Sequence, residues 1–312
     1  MSVLSKPYFH DEAEAFRFVE GIVWEKGVNC PHCGGVERIY DLTKTRIGLK
    51  KCGQCRKQFT VRVGTIFEDS HLPMTKWLQA IYLMCASKKG VSALQLSRVL
   101  EVTYKTAWFL AHRIRKAMED GELGVFGMGG ATVEVDETFI GNDPDAPAPR
   151  KGKPRGIKQM MKVVTLIERE SGRARSIVID RYKLTDIQRV LGENVHKEAR
   201  LMTDESPMYK AMGETYRSHE AVNHTAGEYV RYDGDRYITS NTVEGFFSVF
   251  KRGMKGVYQH CSKKHLHRYL AEFDFRYSYR QALGVKDQER ALWALRGVVG
   301  RRLTYKAPHP QI

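Results

Sequence analysis

ATVEVDETFIG, residues 131–141, is the stretch on which the reading of this chain turns. Its alternation sets Val133 and Val135 on one face of a strand and Glu134 and Asp136 on the other. A carboxylate on a buried strand is costly unless it is paired or holds a cation, so Asp136 is a candidate metal ligand. Downstream, MKVVTLIERESGRARSIVIDR (161–181) reads as a hairpin turning at Glu170 to Gly172. ARLMTDES (199–206) is a second apolar run that ends on an acid, Asp204, before a helix start at Pro207. In SNTVEGFFSVFKRGMKG (240–256), Val243, Phe246, Phe247, Phe250 and Met254 make a helical core stripe. Glu244, Ser248, Lys251 and Lys255 line another face, since seven residues make about two turns. Asn241 lies on nearly the same side as Glu244.

The order is therefore strand acid, hairpin, strand acid, helix acid. Strand-like and helix-like segments alternate over 131–282, as in an α/β domain. If Asp136, Asp204 and Glu244 meet, their hard oxygen donors suit Mg²⁺ or Mn²⁺. Two such ions about 3.5–4 Å apart can clamp the attacking and leaving oxygens of a phosphodiester. Lys251, about two turns along the helix, is placed to hold a nearby phosphate.

Working back towards the start, VSALQLSRVLEVTYKTAWFLAHRIRKAM (91–118) reads as two capped helices joined by a short turn at Glu101 to Thr103. Ser92 and Thr103 are the predicted caps. The second helix has an apolar stripe at Ala107, Leu110, Ala111 and Ile114. Its opposite face carries Tyr104, Lys105, Trp108, His112, Arg115 and Lys116, the pattern of a helix that enters the DNA major groove. Earlier still, Cys30-Pro-His-Cys33 and Cys52-Gly-Gln-Cys55 have the spacing of a four-thiolate zinc site. All four positions would be filled by protein, so this zinc is expected to be structural. Tyr40 and the alternating FTVRV (59–63) are expected to supply the ribbon's small sheet.

Texture divides the 312 residues into a ribbon with an N-terminal helix (1–70), a helix-turn-helix (71–120), the α/β domain (131–282) and a C-terminal tail (283–312). The formal net charge of +15 steers a polyanion to the surface. Arg150, Lys151, Lys153, Arg155, Lys158 and Lys162 crowd positive charge between two strands beside Asp136, where a DNA backbone would fit. His224 is a further candidate near the acids. The longest apolar run, Trp77 to Ala86, is too short to span a bilayer, and no secretory core follows the N-terminus. A cytoplasmic, nucleoid-associated protein is expected, with no membrane partner. HExxH is absent, which argues against a zinc hydrolase.

CPHC, CGQC, KQFTVRVGTIFEDSHLPMTKW (57–77), VEVDETFIG, MTDES, NTVEGFFSVFKRGMKGVY (241–258) and HLHRYLAEFDFRYSYR (265–280) together resemble the insertion-sequence DDE transposases of the ISXO-like group. The likeness runs from about residue 15 to 282. It implies a zinc ribbon and helix-turn-helix ahead of an α/β RNase H-like core with a mixed sheet flanked by helices, a multidomain α+β protein. It carries the first acid onto Asp136, the second onto Asp204 and a basic residue onto Lys251. The third ligand varies in this group. Both Glu244 and Asn241 fit, and Glu244 is favoured for its full charge and its offset from Lys251.

The resemblance further implies metal-dependent cleavage at element ends, then attack of the freed 3′-hydroxyl on target DNA. The expected partners are double-stranded DNA and further copies of the chain, as a dimer or larger, with no nucleotide cofactor. A DNA-binding regulator with an inactive core, or a nuclease that cuts without joining, would share many of these features. Intact acids with Lys251 in register speak against the first. The sequence does not separate cutting from joining.

Overall fold

The valine- and isoleucine-rich runs pair into one mixed sheet because each is apolar enough to be covered. The computed structural model describes residues 2–119, 124–149, 154, 156–210, 213–223, 226–234 and 236–304. They form two units: 1–119 with 284–312, and 120–283.

In the second unit, β4 (Thr132–Ile140), β5 (Met161–Glu168), β6 (Ala174–Ile179), β7 (Arg200–Asp204) and β8 (Ser218–Val222) lie in the order β6-β5-β4-β7-β8. The β6-β5-β4 pairs are antiparallel, β4-β7-β8 are parallel, and the short α6 (Pro207–Lys210) follows β7. This is the topology of an RNase H-like core. The hairpin predicted at 170–172 joins β5 to β6, with Gly172 at φ +68 in the left-handed region that glycine accepts freely.

One face of the sheet packs on α5 (Leu184–Asn194): Val133, Val135, Val164 and Leu166 meet Ile187, Val190 and Leu191. The other packs on α7 (Asn241–Gly253) and α8 (Lys263–Ser278), where Val163 and Ile167 meet the predicted stripe Val243, Phe246, Phe247 and Phe250. Every residue of β5 is buried, as expected of a strand covered on both faces.

In the first unit, α1 (Glu12–Val23) precedes a three-stranded antiparallel ribbon of β1 (Ile39–Asp41), β2 (Lys50–Cys52) and β3 (Gln58–Phe59). The run FTVRV gives less strand than its alternation suggests. Pairing stops at Phe59, and Thr60 to Thr65 turn through Val63 N→Thr60 O and Thr65 N→Arg62 O, with Gly64 at φ +72. Then follow α2 (Met74–Ala86), α3 (Ala93–Val99) and α4 (Tyr104–Met118). Ser92 and Thr103 are the caps, accepting from Gln95 N at 3.1 Å and Thr106 N at 3.2 Å. Near the C-terminus, α9 (Asp287–Arg296) lies against α2, and Arg290 donates to the Cys85 carbonyl.

Candidate metal centre and nucleic-acid interface

Parallel pairing between β4 and β7 ends at Glu134↔Met202. Two residues further along each strand stand Asp136 and Asp204, on the same face and at the same level. Glu137 comes from the other face of β4, yet because β7 ends at Asp204 its carboxylate reaches round the strand end. An oxygen from each of Asp136, Glu137 and Asp204 lies within 4.8 Å of the others. Local bonds fix all three. Asp136 Oδ1 accepts from Glu137 N at 2.7 Å, and Asp204 Oδ1 from Ser206 N at 3.0 Å. Glu137 is held by the hydroxyls of Tyr182 and Tyr209, the latter at 2.6 Å.

Electrostatically this is a strained cluster. Burial, then the neighbouring charges of Glu137, Asp204 and Glu244, push the Asp136 carboxyl up to about 8, against the pull of its backbone hydrogen bond. Burial likewise raises Glu137, despite the two tyrosine hydroxyls. Hard oxygen donors crowded together are the donor set a divalent ion fits. Glu244, half-buried in the first turn of α7, accepts from Ser240 Oγ at 2.8 Å and is near enough to Asp136 to raise it. Asn241 is exposed, and its backbone N–H donates to Thr239 Oγ1. Lys251 is half-buried, its Nζ 6.0 Å from the Phe247 ring centre.

Glu134, on the same face of the strand as Asp136, is wholly buried and fully engaged. One carboxylate oxygen accepts from Thr242 N at 2.9 Å and Val243 N at 3.0 Å, at the start of α7. The other accepts from Arg169 Nε at 2.5 Å. Arg169 in turn donates to the Tyr237 and Thr239 carbonyls. No spacing rule marks this latch. Only the alternation that puts Glu134 on the α7 face hints at it.

The ribbon cysteines come together as expected. Cys30 and Cys55 sulfurs are 3.7 Å apart, as are those of Cys33 and Cys52, and all four lie within 4.8 Å of one another. Thiolates about 2.3 Å from one tetrahedral ion are separated by about 3.8 Å, so the site suits a structural zinc. Backbone N–H groups of Cys55 and Gln54 help hold the Cys52 thiol down to about 7.

The helix α4 departs from its expected outward face. Tyr104 (58% exposed) and Lys105 are open and Trp108 is half-buried, but His112 (0%) and Arg115 (2%) are inside. The stripe argument assumes one covered side. Here α2, α3 and α9 all pack on α4, so beyond its second turn both sides are covered. Lys116 is half-buried and paired with Glu119. Lys162 is likewise withdrawn: it is buried against Asp143 at 3.3 Å. Lys158 remains exposed. Arg150, Lys151, Lys153, Arg155 and His224 lie outside the described residues.

Two stretches of the chain match known family models. Residues 10–58 match the transposase zinc-ribbon domain, and residues 128–278 the ISXO2-like transposase domain. The chain belongs to the ISXO2-like transposase family. It is therefore a transposase, a DNA-processing enzyme. A relative in Halobacterium salinarum, described as an uncharacterized protein in transposable element ISH50, is 27% identical over 280 residues. That match covers 86% of this chain and 91% of the relative.

Two solved structures are more distantly similar to this ISXO2-like transposase. One is the piggyBac transposase synaptic complex with hairpin DNA (11% identical, TM-score 0.32, 75% of this chain and 72% of that one). The other is a simian T-cell lymphotropic virus intasome in complex with PP2A regulatory subunit B56 gamma (12% identical, TM-score 0.28, 57% and 63%). Among the described residues no helix is long and apolar enough to cross a membrane.

Proposed function

We propose that this transposase cuts DNA at the ends of its element and joins the freed 3′-hydroxyls to target DNA, with Asp136 and Asp204 as the central metal ligands. The observation that carries the proposal is the convergence of Asp136, Glu137 and Asp204 where the parallel strands part. Glu244 closes the site from α7, and its half-buried place in the first turn favours it over the exposed Asn241. Bound there, one or two Mg²⁺ or Mn²⁺ ions would supply the positive charge that polarises the attacking and leaving oxygens of a phosphodiester.

The protein's own part is positioning. Tyr182 and Tyr209 fix the Glu137 carboxylate, Ser240 fixes Glu244, and the Glu134–Arg169 latch fixes α7 against the strand bearing Asp136. Lys251 offers a cation to a phosphate close by. Tyr104, Lys105 and Trp108, in the first two turns of α4, read DNA, because a recognition helix touches base edges with its N-terminal residues. Arg150, Lys151, Lys153 and Arg155 belong to the DNA-facing charge in the same reading, and two element ends require at least a dimer on DNA.

The test is cleavage and joining of labelled element-end DNA with Mg²⁺ or Mn²⁺, beside Asp136→Asn and Asp204→Asn. Metal-dependent joined product in the parent alone is the expected result. Binding without cutting would make the chain a DNA-binding regulator, and cutting without joining a nuclease. Cleavage retained in Asp136→Asn would sink the metal assignment.

A further inference from the structure

Beside the carboxylates the second unit opens into a groove of about 1230 Å³ that the chemistry above does not use. It exceeds the roughly 300–1,000 Å³ in which proteins enclose a small molecule, so it suits a length of polymer. Tyr182 is the wall common to both places. It lines the groove, while its hydroxyl bonds Glu137 in the metal centre.

The charges around the groove fall into two sets. Asp143, Asp145 and Asp180 gather on Lys162 and Lys263, three carboxylates on two ammonium groups with one negative charge left over. Lys162 Nζ is 3.3 Å from Asp143, and Lys263 Nζ is 3.3, 3.1 and 3.0 Å from Asp143, Asp145 and Asp180. That leaves Lys158, Arg181 and Lys183, all exposed on the rim and without an ion-pair partner among the described residues, against Asp186 and the one surplus carboxylate, so five basic side chains face four acids in the lining. Asp186 sits in the first turn of α5, where the helix dipole offsets its charge. Lys183, the N-cap of that helix, provides no side-chain acceptor, so the leading N–H groups of α5 add to the groove's preference for an anion. Three lysine or arginine side chains on a basic protein are ordinarily just solvated. These three edge one concavity, three of whose four acids face lysines of the protein and whose end wall touches the metal centre.

We propose, resting on the transposase reading, that this groove carries the phosphodiester backbone of the DNA strand adjoining the scissile bond. Lys158, Arg181 and Lys183 hold its phosphates, and Tyr182 divides the groove from the metal centre.

Equilibrium binding tests this without any chemistry. The full chain is titrated onto a fluorescent duplex bearing the element's terminal sequence, with no divalent metal, between about 50 and 200 mM salt. Each lost phosphate contact flattens log K against log salt by about 0.9. The triple variant K158E/R181E/K183E is expected to flatten the slope by about 2.7 and to weaken binding by about tenfold or more. Asp186→Lys is expected to steepen the slope and tighten binding, and it carries the test alone if the triple variant misfolds. Parental slope and affinity in these variants would overturn the groove. The two readings fail separately. A chain that loses slope in the triple variant yet never joins DNA keeps the groove and loses the transposition reading. A triple variant that joins DNA at the parental rate does the reverse.

Discussion

Removing the Glu134 carboxylate tests the structure at its most connected point. Glu134→Ala would leave two buried N–H groups at the start of α7 without an acceptor, and Arg169 without its anion. An unsatisfied buried donor costs about 1–3 kcal/mol, and breaking a buried ion pair by deleting one partner about 3–5 kcal/mol. These describe the same loss from two sides and do not add, so about 4 kcal/mol is expected. For a unit of this size that lowers the melting temperature by about 8–16 °C. Glu134→Gln keeps an oxygen for the two N–H groups but loses the charge facing Arg169, so about half the loss is expected. The assay is calorimetric melting of the full chain beside both variants, without divalent metal. An alanine variant within about 1 kcal/mol of the parent would refute the latch. A glutamine variant as damaged as alanine would show that charge alone matters and that the N–H geometry does not.

Three further outcomes follow from the same geometry. Cys52→Ser should lose its zinc and destabilise the first unit without altering the carboxylate site; a full complement of zinc by atomic emission would contradict the four-thiolate reading. Lys105→Ala should weaken DNA binding and change stability by less than about 0.5 kcal/mol, whereas His112→Ala should lower the melting temperature because its ring is buried; the opposite pattern would restore His112 to the DNA-facing surface. Asp274, on α8, is pushed up to about 7 by burial, against hydrogen bonds from Ser176 N and Oγ. Its folded pKa lies above the unfolded one, so its contribution is full below about pH 4, lost as pH rises through 7 and flat above, a change of about 4 kcal/mol. Asp274→Asn should remove that slope, gaining on the parent between pH 4 and 8 in denaturant titrations; a stability difference that does not vary with pH would remove the assigned cause.

The strands, the hairpin and the helix stripe were legible because each obeys a period. Val133 and Val135 repeat at two, and Val243, Phe246, Phe247 and Phe250 fall at three and four. The ribbon was legible because metal geometry constrains cysteine spacing. Less legible was anything that depends on how many sides of an element are covered. A helix with one apolar stripe and a basic opposite face reads as half-exposed, and α4 is not: packing from α2, α3 and α9 takes in His112 and Arg115 as well. Lys162 failed for a similar reason. In sequence it extends a basic loop, but in the fold it is a residue of β5 whose ammonium turns onto buried Asp143.

Hardest to read was which acid does what. Glu134 and Asp136 are two residues apart on one face of one strand, with identical local sequence logic, and the fold gives them opposite surroundings. Glu134 faces the start of α7 and meets two amide donors and a guanidinium, so its charge is matched inside the protein. Asp136 stands where β4 and β7 have stopped pairing. Its carboxylate neighbours are Glu137, Asp204 and Glu244, and it is driven up to about 8. A carboxylate already matched gains little from a cation, whereas one crowded by its own kind gains the most. The division of labour between these two acids is therefore set by the point at which β4 and β7 stop pairing, a property of the sheet that neither residue's own sequence neighbourhood contains.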